Sequence, residues 1–368
     1  METSTLFRFL KVIYLSFLII QVNTSLVLAY PDSGDGHKKI GDLLTGIYTN
    51  SEPGATIAVL KNDRVLFENS YGLADIEKTV SITPDKSFRI GSLTKQFTAV
   101  AIMKLVEAGD INVGDPVSKY LPGLLENGDV ITVENLLTHT SGIGNFENLE
   151  KTMMDAAGQK LVLDDIIKLF IDRPAEFVVG TQYQYSNPGY ILLGAIVEKV
   201  SGKSFEQFLR EEILSPLEMG NTYFDNEEKR GVNRVQGYHR EENEFVDAFA
   251  FNTAIPYSAG GLSSTIGDIR IWNDALWSGK IVSVDTLDKM ITPFTLANGK
   301  QTEYGYGLEV LRVNKRPFIA HQGGIFGFQS FLATLPEDGI QIIILTNTDN
   351  PKVWPNEVAD KIIEIISE

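Results

Sequence analysis

The chain has 368 residues, enough for a large core, with 43% hydrophobic and 22% charged residues, an ordinary balance for a soluble globular protein. Its 32 basic and 48 acidic residues leave a formal charge of -16, which argues against nucleic acid or an anionic membrane surface as a main partner. Without cysteine there is no disulfide, and the four histidines form no His-Glu-x-x-His pattern, so no metal or other cofactor is expected.

Residues 1–29 stand apart. Arg8 and Lys11 precede the apolar run Val12 to Ile20, and Val27-Leu28-Ala29 offers a small-residue cleavage site, the pattern of a secretory signal. An uncleaved anchor through residues 12–29 is the alternative, and Gln21, Asn23, Thr24 and Ser25 interrupt the apolar stretch it would need. The expected address is therefore periplasmic or secreted, with no membrane contact unless that segment is retained.

A short helix is expected around Lys38 to Ile47. Ala55 to Lys61 and Arg64 to Tyr71, flanking Lys61-Asn62-Asp63, then read as a hairpin. In Phe88-Arg89-Ile90-Gly91-Ser92-Leu93-Thr94-Lys95 the glycine breaks the chain before an apolar helix that runs from Gln96 to a C-terminal Gly109. Residues i and i+3 share a helix face, so Ser92 and Lys95 place a nucleophile beside an amine at the positive end of a buried helix. An isolated Ser-x-x-Lys is more often a helix cap and a solvated charge, and the downstream sequence has to decide.

Helical patterns continue through Asn135 to Leu137, Leu161 to Ile171 and Gly189 to Val200, and Ser204 to Gln207 has the spacing of a capping box. Tyr238 to Phe251 reads as a polar loop, and Thr265 to Trp277 as a further helix. Pro317 to Ala320, Gln329 to Leu335 and Ile340 to Leu345 read as strands, with Pro336 to Gly339 as a turn and Asn356 to Ile366 as a closing helix. The pattern is that of an α+β domain over residues 30–368. One antiparallel sheet is assembled from both chain ends, and a helical lobe of about 96–230 is inserted between sheet-forming segments 55–90 and 231–368.

Two later signals complete a set with Ser92 and Lys95. Tyr185-Ser186-Asn187 lies in a turn-rich loop before a helix, and His321-Gln322-Gly323-Gly324 lies at the end of a strand, where the two glycines would let a substrate's backbone lie close. Alone, each is weak: Tyr48-Thr49-Asn50 is a second Tyr-x-Asn match.

Together with Leu136 to Gly142, Tyr185 to Gly202, Ser215 to Met219 and Gly260 to Ser264, these residues resemble the serine β-lactamase and penicillin-binding-protein-like family. The branch is that of class C β-lactamases, D-Ala-D-Ala carboxypeptidases, D-aminopeptidases and related esterases. The resemblance implies that Ser92 is acylated, that Lys95 is its proton partner and that Tyr185 is a general base that also protonates the leaving group. It implies that Asn187 bonds the lysine or the substrate amide, and that His321 stands where other members carry lysine. The backbone N–H groups of Ser92 and Gly324 would form the oxyanion hole.

Lysine and tyrosine titrate near 10 in water, and a mutual ammonium–phenolate attraction worth about 4 kcal/mol would bring them toward 7. Which of the two takes the serine proton stays open at this stage. In the family the residue after the lysine or histidine is usually threonine or serine, which meets the substrate carboxylate; here it is Gln322, so carboxylate-bearing substrates are disfavoured. The expectation is an extracytoplasmic serine hydrolase for a small-molecule or peptide amide or ester. A carboxylesterase and a scaffold without turnover are the alternatives.

Overall fold

The computed structural model describes residues 34–125, 128–146, 148–225, 233–242, 244–313 and 316–367. The signal segment expected at 1–29 lies outside the described residues. Gly34–Glu368 is a compact unit. Among the described residues no helix is long and apolar enough to cross a membrane.

The central element is a six-stranded antiparallel sheet. Its order is Glu309–Val313, Arg316–Ile325, Phe328–Leu335, Ile340–Thr346, Ala55–Lys61 and Arg64–Tyr71, so the two chain ends meet where Ala55 pairs with Thr346 and Lys61 with Ile340. Each face is sorted by the two-residue period of a strand. Ile57, Val59, Ile342 and Ile344 meet Ile40, Leu44, Val358 and Ile362 of the terminal helices Gly34–Ile47 and Pro355–Ser367 on one face. Ala58, Leu60, Ile343 and Leu345 join the larger core on the other. Burial on both faces explains why Ile340 to Leu345 is apolar almost without a break.

The helix Thr94–Glu107 is buried in that larger core, with Lys104, Val106 and Glu107 its only residues outside the fully buried class. Phe97 stacks on Trp272 with ring centroids 3.9 Å apart, and the Trp272 indole N–H donates to the buried Gln96 Oε1 at 2.9 Å. Trp272 belongs to Ile266–Trp277, capped by Thr265, whose hydroxyl accepts from Asp268 N. The helix Asn187–Ser201, with Ser186 as its cap, shares this core.

Two expectations change. Tyr238 to Phe251, read as a loop, contains a hairpin of Tyr238–Glu241 and Glu244–Asp247. Only Tyr238 among its strand residues is buried, so it lacks the apolar alternation that marks a half-buried strand. The His321 strand, read as ending at Ala320, continues to Ile325, because Gly323 and Gly324 keep pairing with Ser330 and Gln329.

Candidate active site

Ser92 lies in a 3-10 turn, Gly91–Leu93, that leads into Thr94–Glu107. The turn is held from both sides. Arg89, just upstream, shares the Asp225 carboxylate with Arg234, at 2.5 Å and 2.6 Å, and Ser330 Oγ donates to Ile90 O at 2.8 Å.

Gly91 has φ +48°, and a Cβ there would come within 2.9 Å of Gly324 N. A Cβ on Gly323 would come within 2.0 Å of Ile90 O and 3.0 Å of Ser92 N. These two glycines therefore let the nucleophile turn and the strand touch backbone to backbone, which brings the N–H groups of Ser92 and Gly324 to one place. The reading that both strand glycines make room for substrate holds only for the exposed Gly324; Gly323 is closed by the protein's own chain.

Lys95 is fully buried. Its Nζ donates to Asn187 Oδ1 and to Ala259 O, both at 2.8 Å, and lies 3.1 Å from Ser92 Oγ. The first two atoms can only accept, so they take two N–H bonds and leave the third direction of the amine facing the serine hydroxyl. Burial pushes the Lys95 pKa well below the ordinary lysine value. The Tyr185 ring lies 4.7 Å from Nζ, and its hydroxyl is close enough to the Ser92 side chain to be influenced by it. Burial raises the Tyr185 pKa, against a smaller lowering by the Ser92 side chain. Burial thus shifts both groups toward their uncharged forms, Lys95 downward and Tyr185 upward, away from the expected ammonium–phenolate pair. Desolvation is the largest influence on both groups, with Lys95 fully buried and Tyr185 partly so.

Tyr185 is held by residues to which sequence reasoning assigned no role. His139, at φ +58°, accepts from Ser186 N at Nδ1 (3.0 Å) and packs its ring against Tyr185 (4.4 Å), Tyr304 (4.6 Å) and Tyr190 (5.0 Å). Asn145 Nδ2 donates to Tyr185 O at 3.1 Å, and Asn145 Oδ1 accepts from Asn187 N at 3.1 Å. His139 stood inside the Leu136 to Gly142 wording and could have been flagged there; Asn145 left no local signal.

His321 is buried, with both nitrogens used by protein. Nδ1 lies 2.7 Å from Gln322 O, which can only accept, so Nδ1 carries the proton; Nε2, 2.8 Å from Tyr304 Oη, accepts from that hydroxyl. Burial first, and Lys95 second, push its pKa down to about 3. The position the resemblance assigns to a lysine holds a neutral ring with no bond left for a substrate, and the exposed Gln322 beside it offers only an uncharged amide.

A cavity of about 560 Å³ opens from Ser92, Asn187 and Gly324 toward Phe146, Phe249 and Trp354. This volume is in the usual range for a small-molecule site.

A model of the beta-lactamase family matches residues 40–364. Protein flp of Staphylococcus aureus (strain MW2) is 28% identical over 306 residues, covering 82% of this chain and 61% of that protein, so the chain spans about three fifths of that relative. The putative penicillin-binding protein PbpX of Bacillus subtilis (strain 168) is 28% identical, covering 91% of this chain and 79% of PbpX. The crystal structure of a D-amino acid amidase from Ochrobactrum anthropi SV3, complexed with L-phenylalanine amide, superposes with a TM-score of 0.76. It is 25% identical and covers 89% of this chain and 99% of the amidase.

Proposed function

Because this chain belongs to the beta-lactamase family, a family of serine hydrolases, we propose that it is an exported acyl hydrolase that opens an amide or ester through an acyl-enzyme on Ser92. The observation that carries the reading is the placement of Lys95 Nζ, 3.1 Å from Ser92 Oγ, by two groups that can only accept from it. Lys95 takes the Ser92 proton as Oγ attacks the substrate carbonyl, and the N–H groups of Ser92 and Gly324 receive the negative charge on the carbonyl oxygen. Tyr185 gives its proton to the leaving group and recovers one from the Lys95 ammonium. Water then attacks the acyl-enzyme, its proton leaves through the same pair, and Ser92 regains a hydrogen as the acid departs.

The substrate is an amide or ester without a carboxylate at the His321 side. A charge there would face a neutral imidazole whose bonds are filled, and an isolated ion taken from water is costly to hold. A compound such as L-phenylalanine amide, which the Ochrobactrum amidase holds, meets that condition. Export rests on residues 1–29, and N-terminal sequencing of the mature protein is expected to find a start near Tyr30.

The test is a fluorophosphonate probe, which is expected to add one label, on the peptide containing Ser92, together with a burst of p-nitrophenol from p-nitrophenyl acetate. Both should vanish in Ser92→Ala. Labelling that persists in that variant, or falls on another peptide, overturns the assignment.

A further inference from the structure

The cavity beside Ser92 has two kinds of wall. Phe146, Ile191, Ile255 and Phe326 make it apolar, and Phe249 and Trp354, 52% and 40% exposed, complete its outer part. Its ionisable lining residues are Glu150, His239 and Asp349; among the described residues no lysine or arginine lines it. Ser92, Asn187 and Gly324 form the inner end, whereas Tyr185, His321 and Gln322 do not line it. With Tyr185 as the leaving-group acid, the departing half of the substrate lies on the far side of Ser92, and the cavity receives the acyl half.

His239 and Asp349 are 110 residues apart and both line this cavity, His239 from the strand Tyr238–Glu241, which sequence reasoning had read as loop, and Asp349 from the bend that follows Ile340–Thr346. His239 Nδ1 lies 2.7 Å from Asp349 Oδ1. The other carboxylate oxygen accepts from Gly327 N at 2.7 Å, and Asp349 N donates to Tyr238 O at 3.1 Å, so the aspartate is fixed between two hairpins. A carboxylate only accepts, so Nδ1 carries a hydrogen, and in that tautomer Nε2, which has no described protein partner, is an acceptor. The ring rests against Phe249, centroids 6.1 Å apart, and the side chain is 31% exposed. An acceptor beside two carboxylates, with no lysine or arginine among the described lining residues, is matched by a donor.

We propose that this cavity selects acyl groups with an aromatic or bulky apolar body that end in a hydrogen-bond donor, an ammonium or a hydroxyl, and that His239, held by Asp349, is the residue that reads the donor. The inference rests on the acyl-hydrolase reading, and its test separates the two.

The full chain is assayed on p-nitrophenyl esters of acetate and of 3-phenylpropanoate, the latter unsubstituted or carrying 4-aminomethyl, 4-hydroxymethyl or 4-carboxyl on the ring. The phenylpropanoate is expected to exceed acetate in kcat/KM by about 10-fold or more, the scale on which apolar pockets discriminate. The aminomethyl ester should gain roughly a further 10-fold over the unsubstituted ring, the scale of one hydrogen bond to a charged group. A similar gain for hydroxymethyl assigns the effect to the imidazole acceptor. A gain confined to the ammonium adds Glu150 and Asp349 as its source, and both results support a donor-reading pocket.

In His239→Phe and in Asp349→Asn the ratio of aminomethyl to unsubstituted ester should fall toward one. Each ratio is read on one preparation, so incomplete folding cancels, and the substrate series on the unaltered chain decides the matter if neither variant folds. Acetate turnover with flat ratios overturns the pocket alone, as does a preference for the carboxyl ester, which would mean a protonated His239 reading an anion. Absence of turnover on every ester removes the hydrolase reading and this one with it.

Discussion

On the Tyr185 side of Ser92 the rings of His139, Tyr190 and Tyr304 pack around the tyrosine and His321 has both nitrogens bonded to protein, while on the Gly324 side Phe249 and Trp354 stand half in solvent around an open cavity. The first wall is built for position, because its groups are buried and most are bonded to one another. The second is built for a guest, because exposed aromatic surface contributes nothing to the fold until something covers it. Desolvation does different work on the two sides. It lowers the Lys95 pKa and raises that of Tyr185, favouring the uncharged form of each, and at the cavity it waits for the substrate.

The largest effect expected from breaking the first wall is at Tyr185. Tyr185→Phe removes the hydroxyl beside Ser92 and should lower kcat/KM by about 10²- to 10⁴-fold on an amide or alkyl ester, the usual contribution of general acid–base catalysis. The loss should be smaller on a p-nitrophenyl ester, whose leaving group departs without a proton. Equal losses on the two would show that Tyr185 does not protonate the leaving group.

A smaller effect sharpens the boundary between the walls, at Gln322. Restoring a hydroxyl in Gln322→Thr should raise kcat/KM for a carboxylate-bearing substrate, such as a D-Ala-D-Ala peptide or a cephalosporin, by about 10- to 150-fold, the worth of a hydrogen bond to a charged group. Neutral esters should change little. Efficient cleavage of the peptide by the unaltered chain, with the ratio of the two activities unmoved in Gln322→Thr, would place carboxylate recognition elsewhere.

The catalytic spacings beside the first wall were legible from sequence, whereas the packing of that wall and the whole of the second were not, for a physical reason. Ser92 with Lys95, and Tyr185 with Asn187, are local spacings tied to helix starts, and five of the six sheet strands follow from apolar runs at both chain ends, while the edge strand Glu309–Val313 was not read. His239 and Asp349 are joined only by folding, and His239-Arg240-Glu241 carries no apolar alternation to announce a strand. The neutrality of His321 was equally hidden. It depends on burial and on Tyr304, 17 residues upstream, which no spacing rule connects to it. Sequence also overstated the charge in the centre, since Lys95 and Tyr185 near each other suggest an ion pair until their burial is known.

The smallest expected effect concerns Glu309, on the edge strand behind the tyrosines. Burial pushes its carboxyl from the ordinary 4.5 up to about 7, and its charge raises the pKa of Tyr183, Tyr185 and Tyr304. The folded chain therefore holds a proton on Glu309 between about pH 4.5 and 7 that the unfolded chain has released. Stability falls across that window as pH rises, because unfolding frees the carboxyl to ionise in water. The gap corresponds to at most about 3 kcal/mol, and partial exposure of the side chain reduces it. Burial of His321 works in the opposite sense, since its depressed pKa removes stability only as pH falls from about 6.5 toward 3. The His321 contribution is common to both proteins, so the comparison is the difference in denaturant midpoint between the unaltered chain and Glu309→Gln, which cannot ionise: from pH 5 to about 7 the unaltered chain should lose ground to the variant, and above that the difference should stay level. The same variant should leave the alkaline limb of the pH–rate profile at lower pH, because the charge that holds the Tyr185 proton in place is gone. Parallel stability curves for the two proteins would show that Glu309 titrates as an ordinary surface carboxylate and that the tyrosine wall is not linked to it.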